Sequence, residues 1–125
     1  VEIHCLRDLT RGGLASALNE IATTCHLEML LNEEQIPIGT EVRGACELLG
    51  LDPFYVANEG RLIAFVPEHQ TSLALEIIKR HEAGVNAKLI GKVSQNKLGR
   101  VVLKSTFGHL RLLEMMSGEQ LPRIC

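Results

Sequence analysis

The sequence contains no tryptophan and only four aromatic side chains, Phe54, Tyr55, Phe65 and Phe107. So few rings exclude a base-stacking platform for single-stranded nucleic acid. There is no long basic run, and 13 Lys and Arg against 15 Asp and Glu leave a formal net charge of −2. Electrostatic capture of nucleic acid or acidic lipid therefore has no footprint here. Long apolar runs are also missing: a stretch such as Leu62–Val66 is far shorter than the roughly 20 residues a membrane-spanning helix needs. No signal-peptide pattern opens the chain, so a soluble, cytoplasmic protein is expected. The first residue is Val1 rather than Met, which suggests a piece of something longer.

Cysteine is sparse and scattered. Cys5, Cys25, Cys46 and Cys125 form no C-x-x-C pair, and their gaps are too wide for a disulfide scaffold. His4-Cys5 and Cys25-His26 are vicinal pairs, whereas structural zinc ligands are usually spaced so that each can turn toward one ion; no metal is expected. Cys25 and Cys46 fall on apolar helical faces and read as small buried residues.

What is present is a core-forming composition. Hydrophobic residues make up 46% of 125, enough for one ordinary domain. After a short lead-in over residues 3–9, Leu14, Leu18, Ile21, Ala22 and Cys25 recur at helical spacing, predicting a helix over about 11–24 that Thr10 or Asp8 could cap. A strand is expected at 26–31. A second helix over about 40–49 carries Val42, Ala45, Cys46 and Leu49 on one face and is stopped by Gly50. Residues 52–60 read as a functional loop, with possible strand character at 54–56. A strand at 61–66 and a helix over about 68–81 follow. Three strands then come at 87–94, 99–104 and 108–113, separated by turn-compatible residues. This order predicts an α+β domain over 1–114: a mixed sheet with helices packed on it. Residues 115–125 form a tail.

Three motifs could carry chemistry. In Asp8-Leu9-Thr10-Arg11-Gly12-Gly13-Leu14, two glycines open a helix. Free N–H groups there would favour an anion such as phosphate, with Arg11 as a bidentate partner. The same glycines equally suit close packing at a capped helix start. In Ala57-Asn58-Glu59-Gly60, a carboxylate stands at the mouth of an apolar strand, where partial desolvation would suit a general base; a solvated turn uses the same residues. The third is the ending Leu121-Pro122-Arg123-Ile124-Cys125. A Cys at the end of a tail can swing between sites. A prenylation box is excluded, because there the Cys stands fourth from the end.

These pieces occur together and in one order, and in that order the chain resembles the C-terminal domain of the HypE family of hydrogenase maturation proteins. That family belongs to the superfamily of aminoimidazole ribonucleotide synthetase, selenophosphate synthetase and thiamine-monophosphate kinase. Asp8–Leu14 looks like the superfamily's R-D-x-T-R-G-G-L block. VRGACELLGLDP at 42–53 and ANEGRLIAFV at 57–66 look like its middle blocks, and PRIC at 122–125 is similar to the HypE ending. The resemblance covers essentially the whole chain.

It implies a fold like the C-terminal domain of aminoimidazole ribonucleotide synthetase, beside an N-terminal ATP-binding domain absent from this chain. It also implies a reaction. A HypF carbamoyltransferase places a carbamoyl group on Cys125, and ATP-dependent dehydration turns the thiocarboxamide into a thiocyanate. An iron-bearing HypC–HypD complex then receives the cyanide destined for a nickel–iron hydrogenase. In this reading Cys125 is the carrier and Glu59 the base. Asp8, Thr10, Arg11, Gly12, Gly13, Asn58 and Gly60 contact substrate or phosphate, and Pro122, Arg123 and Ile124 form the tail. ATP and Mg2+ bind mainly through the absent domain, so this piece alone should be inactive, and the full protein is expected to be a homodimer. Two other readings remain: another ATP-using enzyme of the superfamily, such as a selenophosphate synthetase or a kinase, or a non-catalytic interaction module that only presents its tail.

Overall fold

A computed structural model describes residues 1–115. Along the chain run β1 (Cys5–Asp8), α1 (Gly13–Cys25), β2 (Glu28–Asn32), α2 (Thr40–Leu49), β3 (Leu62–Phe65), α3 (Thr71–Lys79), β4 (Gly91–Ser94), β5 (Val101–Lys104) and β6 (Leu110–Leu112). The four-stranded sheet has the order β4-β2-β5-β6. Its central pair, β2 and β5, is parallel, with Met29 opposite Val101 and Leu31 opposite Leu103. Both outer strands are antiparallel to their neighbours. The expected α+β fold with a mixed sheet and helices is what forms.

The core follows from two periodicities. In α1, Leu14, Ala15, Ala17, Leu18 and Ala22 are buried along one face at helical spacing. In β2 and β5, the alternate residues Met29, Leu31, Val101 and Leu103 are buried against that face, joined by Leu9, Phe54 and Leu113. Small alanines let the helix lie close to the sheet, so one helix and two strands hold most of the buried apolar surface.

Several expectations need correction. The lead-in is a strand: β1 pairs antiparallel with β3, Cys5 opposite Phe65 and Asp8 opposite Leu62, in a separate two-stranded sheet. Residues 54–56 are a turn rather than a strand, because their carbonyls point at the start of α1 instead of at a neighbouring strand. The strand expected over 87–94 is confined to 91–94, and the helix over 68–81 is a 3-10 turn at Glu68–Gln70 followed by α3.

Neither Thr10 nor Asp8 caps α1. Its N-cap is Gly12 in the left-handed region, without a side-chain hydrogen bond. Cys25 is exposed, whereas Cys46 is buried as expected. Cys25 is the last residue of α1, where His26 takes a left-handed φ of 54° and ends the helix. The apolar faces of α2 and α3 are largely open: Val42, Leu48, Leu49, Leu73 and Ile77 are exposed, and only Cys46 and Ala74 in these helices are buried.

Candidate functional site

Two of the three motifs lie side by side, although about fifty positions separate them in sequence. The pairing of β1 with β3 begins the contact and backbone bonds extend it. The Leu9 N–H donates to the Arg61 carbonyl at 3.1 Å, and the Asn58 N–H donates to the Leu9 carbonyl at 3.1 Å. This zips Asp8–Thr10 onto residues 58–61. On the other side, the Ala15 N–H at the start of α1 donates to the Phe54 carbonyl at 2.8 Å.

The glycine pair makes this possible. Gly12 and Gly13 have φ of 74° and 64°, a backbone region that disfavours side chains. A Cβ on Gly13 would lie 2.5 Å from the Val56 carbonyl oxygen and 2.7 Å from that of Phe54. Gly13 thus admits the 54–56 backbone against the helix start, while Gly12 makes room for the Ser16 side chain. The close-packing use of this block is realised, and one helix-start N–H is already committed to a carbonyl.

The 52–60 loop is shaped from within. The Asp52 carboxylate accepts from the Phe54 N–H at 3.0 Å, and the Tyr55 N–H donates to the Asp52 carbonyl at 3.1 Å, forming a tight turn. Phe54 is buried in the core, which fixes the loop's depth. Beyond it the chain rises: Asn58 is half-buried, and Glu59 and Gly60 are exposed, Gly60 with φ of 74°. The desolvation expected for Glu59 at a strand mouth is therefore not provided by the described residues. Glu59 and Arg11 each engage a partner. The Thr10 side chain hydrogen-bonds the Asp8 carboxylate and, against desolvation and with lesser help from backbone N–H groups and Arg7, holds its pKa below the usual carboxylate value.

A further feature escaped sequence reasoning. Leu113, just after β6, is buried, and its N–H donates to the Val101 carbonyl at 2.9 Å. Its carbonyl accepts from the buried Asn19 side chain at 2.7 Å, while the same amide nitrogen also donates to the Ala15 carbonyl at 2.8 Å. The next carbonyl, of Glu114, accepts from the Tyr55 hydroxyl at 2.7 Å. Glu114 thus lies beside the 52–60 loop. A lone tyrosine and a lone asparagine carry no sequence signal for such long-range contacts. Pro122, Arg123, Ile124 and Cys125 lie outside the described residues. Among the described residues no group of three or more His, Cys, Asp or Glu side chains converges on a metal-sized site. No helix among them is long and apolar enough to cross a membrane.

The fold and the joined blocks define a class. The chain belongs to the family described as AIR synthase related protein, C-terminal domain, which matches residues 1–104. Within that class it is similar to carbamoyl dehydratase HypE. The protein of that name from Rhodobacter capsulatus is 49% identical over 98% of this chain. The one from Azotobacter vinelandii is 49% identical over 99%. In both cases the chain spans 36% of the relative's length. Among solved structures, hydrogenase maturation protein HypE superposes with a TM-score of 0.91 at 45% identity, over 98% of this chain and 40% of that one. HypE in complex with ATP gives 0.90 at 44% identity, over 98% and 38%. A HypE–HypF complex gives 0.85 at 37% identity, over 91% and 37%. The likeness drawn from the sequence blocks to the HypE family is borne out.

Proposed function

We propose that this chain is the C-terminal part of an ATP-dependent carbamoyl dehydratase that matures nickel–iron hydrogenases in the cytoplasm, with Cys125 as the covalent carrier. The observation that carries this reading is that hydrogen bonds join the glycine block, the 52–60 loop and Glu114. Cys125 lies ten positions beyond Met115, a span of at most about 36 Å when extended. That length is sufficient for one sulfur to serve a site on this face and a partner's site in turn. The likeness to a HypE solved with ATP and to one solved with HypF supports ATP as phosphoryl donor and HypF as the carbamoyl source.

The chemistry is a dehydration. A carboxamide oxygen leaves poorly as hydroxide. Attack of that oxygen on the γ-phosphorus of ATP, breaking the bond to ADP, turns it into part of a phosphate leaving group. Loss of both N–H protons and departure of phosphate then convert S–C(=O)–NH2 into S–C≡N. Glu59 is the base in this reading, for which a carboxylate beside the reacting nitrogen is suited. Because Glu59 is exposed in this domain, its desolvation would come from bound substrate and the rest of the protein. Asp8, Thr10, Arg11, Gly12 and Gly13, with Asn58 and Gly60, border the same face and would contact substrate or phosphate. Pro122, Arg123 and Ile124 would deliver the sulfur. Mg2+ is assigned, with ATP, mainly to the remainder of the protein. A homodimer, and transfer of the cyanide carbon to an iron-bearing HypC–HypD complex, complete the proposal.

The test is mass spectrometry of the full-length protein incubated with HypF, carbamoyl phosphate and ATP. A carbamoyl addition on Cys125, followed by loss of one water, is expected, and Cys125→Ala should show neither change. Modification persisting in that variant, or mapping to Cys5, Cys25 or Cys46, would overturn the carrier role. A phosphorylated product without any change at Cys125 would favour another superfamily activity, and no change in the wild-type protein would favour a non-catalytic module.

A further inference from the structure

We propose that the face of the four-stranded sheet turned away from α1 is a docking groove for an acidic amphipathic helix of another protein. The inference makes no use of the carrier reading of Cys125.

Strand register assembles the groove. Met29, Leu31, Val101 and Leu103 belong to the core under α1, so alternation turns Leu30 and Val102 to the other side. Leu30 stands opposite both Lys92 and Val102, and Lys104 stands opposite Leu110, which brings β4 and β6 onto the same face. Leu75 and Lys79, one turn apart on α3, form one wall, and Lys88 and Leu89 form another. The recess between them measures about 730 Å3. No residue of the glycine block or of the 52–60 loop lines it. It is also separate from the open apolar face of α3, because the exposed Leu73 and Ile77 lie on the opposite side of that helix from Leu75 and Lys79.

Floor and rim together specify the occupant. The floor is apolar, formed by Leu30, Val102 and Leu110, with Leu110 69% exposed. A concave apolar floor ringed by polar groups marks a binding surface. The rim is of one sign. Lys79, Lys88, Lys92 and Lys104, four of the chain's five lysines, line the recess, and no Asp or Glu does. None of the four forms an ion pair among the described residues. They come from α3, from the segment before β4, from β4 itself and from β5, so positive charge surrounds the recess instead of marking one end. A small amphipathic anion has a single head group and would leave most of that rim unpaired. An acidic bilayer is flat and does not reach the floor of a recess. An amphipathic helix meets both features: apolar residues at helical spacing cover the floor, and Asp or Glu on its two flanks face the lysines. The apolar contact would supply affinity, and the lysines would set orientation and speed encounter.

The test uses the full-length protein and a synthetic peptide about 15 residues long, held helical by a side-chain staple because so short a helix is marginal alone. It carries leucines at i, i+3, i+4 and i+7 spacing and glutamate and alanine elsewhere, and its binding is read by fluorescence anisotropy. Binding is expected, and it should weaken as salt is raised. Lys88→Glu combined with Lys92→Glu, two exposed positions outside the core, should weaken it by about tenfold or more. Leu110→Gln should weaken it without changing the salt dependence. Acetylation followed by mass spectrometry locates the site: all five lysines should react in the free protein, and the peptide should protect the four of the rim but not Lys97. No binding to the wild-type protein overturns the proposal and leaves the lysines as charges that keep sheet edges apart in water. Equal binding of a scrambled peptide of the same composition, or unchanged binding to the variants, also overturns it. So does resistance of the four lysines to acetylation in the free full-length protein, which would show the rest of the chain covering the recess. Dodecanoate or vesicles of anionic phospholipid that bind with the same lysine dependence while the peptide does not would assign the recess to a small amphiphile or a membrane instead.

Discussion

Gly13 sits at φ of 64°, and a Cβ there would come within 2.5 Å of the Val56 carbonyl. Gly13→Ala should therefore destabilise the domain by about 1–2 kcal/mol through the left-handed backbone alone, and by more through displacement of the 54–56 turn. Urea unfolding of the two proteins measures this; equal midpoints at equal slope would mean that the turn moves freely. Glu59 matters in another way. It is exposed and supports no core packing, so Glu59→Gln should leave stability within about 0.5 kcal/mol of wild type. Gln keeps the size and loses the basicity. In the full-length protein the variant should accept a carbamoyl group normally yet convert it about 10²- to 10⁴-fold more slowly. A normal conversion rate, followed by mass spectrometry, would remove Glu59 from the base role.

Among the elements, β2 carries the clearest electrostatic dependence. Glu28 is buried at its first position and accepts from the Asn96 side chain at 3.1 Å and from Arg100 Nε at 2.6 Å. The Glu28 N–H donates to the Asn96 carbonyl at 2.9 Å, and the Met29 N–H to the Arg100 carbonyl at 2.9 Å. One carboxylate thus clamps the connection between β4 and β5 onto the strand between them. The hydrogen bonds from Asn96 and Arg100 hold its pKa below the ordinary 4.5, against the effect of burial. A depressed folded value means that the unfolded chain takes up the proton first as pH falls. The stabilisation is therefore complete above about 4.5 and lost as pH drops through the lower folded value. Glu28→Gln should lower the thermal midpoint at neutral pH, and the gap from wild type should narrow in that acid window. A gap that stays constant between neutral pH and pH 3 would show that the clamp is not ionic.

At the scale of the whole molecule, the open faces of α2 and α3 and the partial coverage of its relatives agree. The chain spans about a third of the relatives' length, and apolar residues such as Leu48 and Leu49 stand exposed. The described residues join the glycine block to the 57–60 loop but bring no three metal-binding side chains together. The 125-residue piece should accordingly fold cooperatively while showing weak or no heat of binding with Mg-ATP in calorimetry. Tight binding by the piece alone would show that it holds a complete nucleotide site.

Periodicity of the apolar residues determined a good part of this structure. Leu14, Leu18 and Ala22 mark α1 by their helical spacing, and the short apolar runs of β2 and β5 mark strands. Family blocks in the sequence likewise indicated the class of protein and the segments to examine. Three things lay beyond them. The pairing of β1 with β3 could not be read, since a four-residue strand with exposed residues has no amphipathic pattern of its own. The end of α1 at Cys25 gave no glycine signal, because His26 takes the left-handed cap that glycine usually supplies. The meeting of the glycine block, the 52–60 loop and the root of the tail was decided only by tertiary structure: Tyr55 and Glu114 are 59 positions apart, and a hydrogen bond over such a distance exists only once the core of α1, β2 and β5 has brought its two ends together.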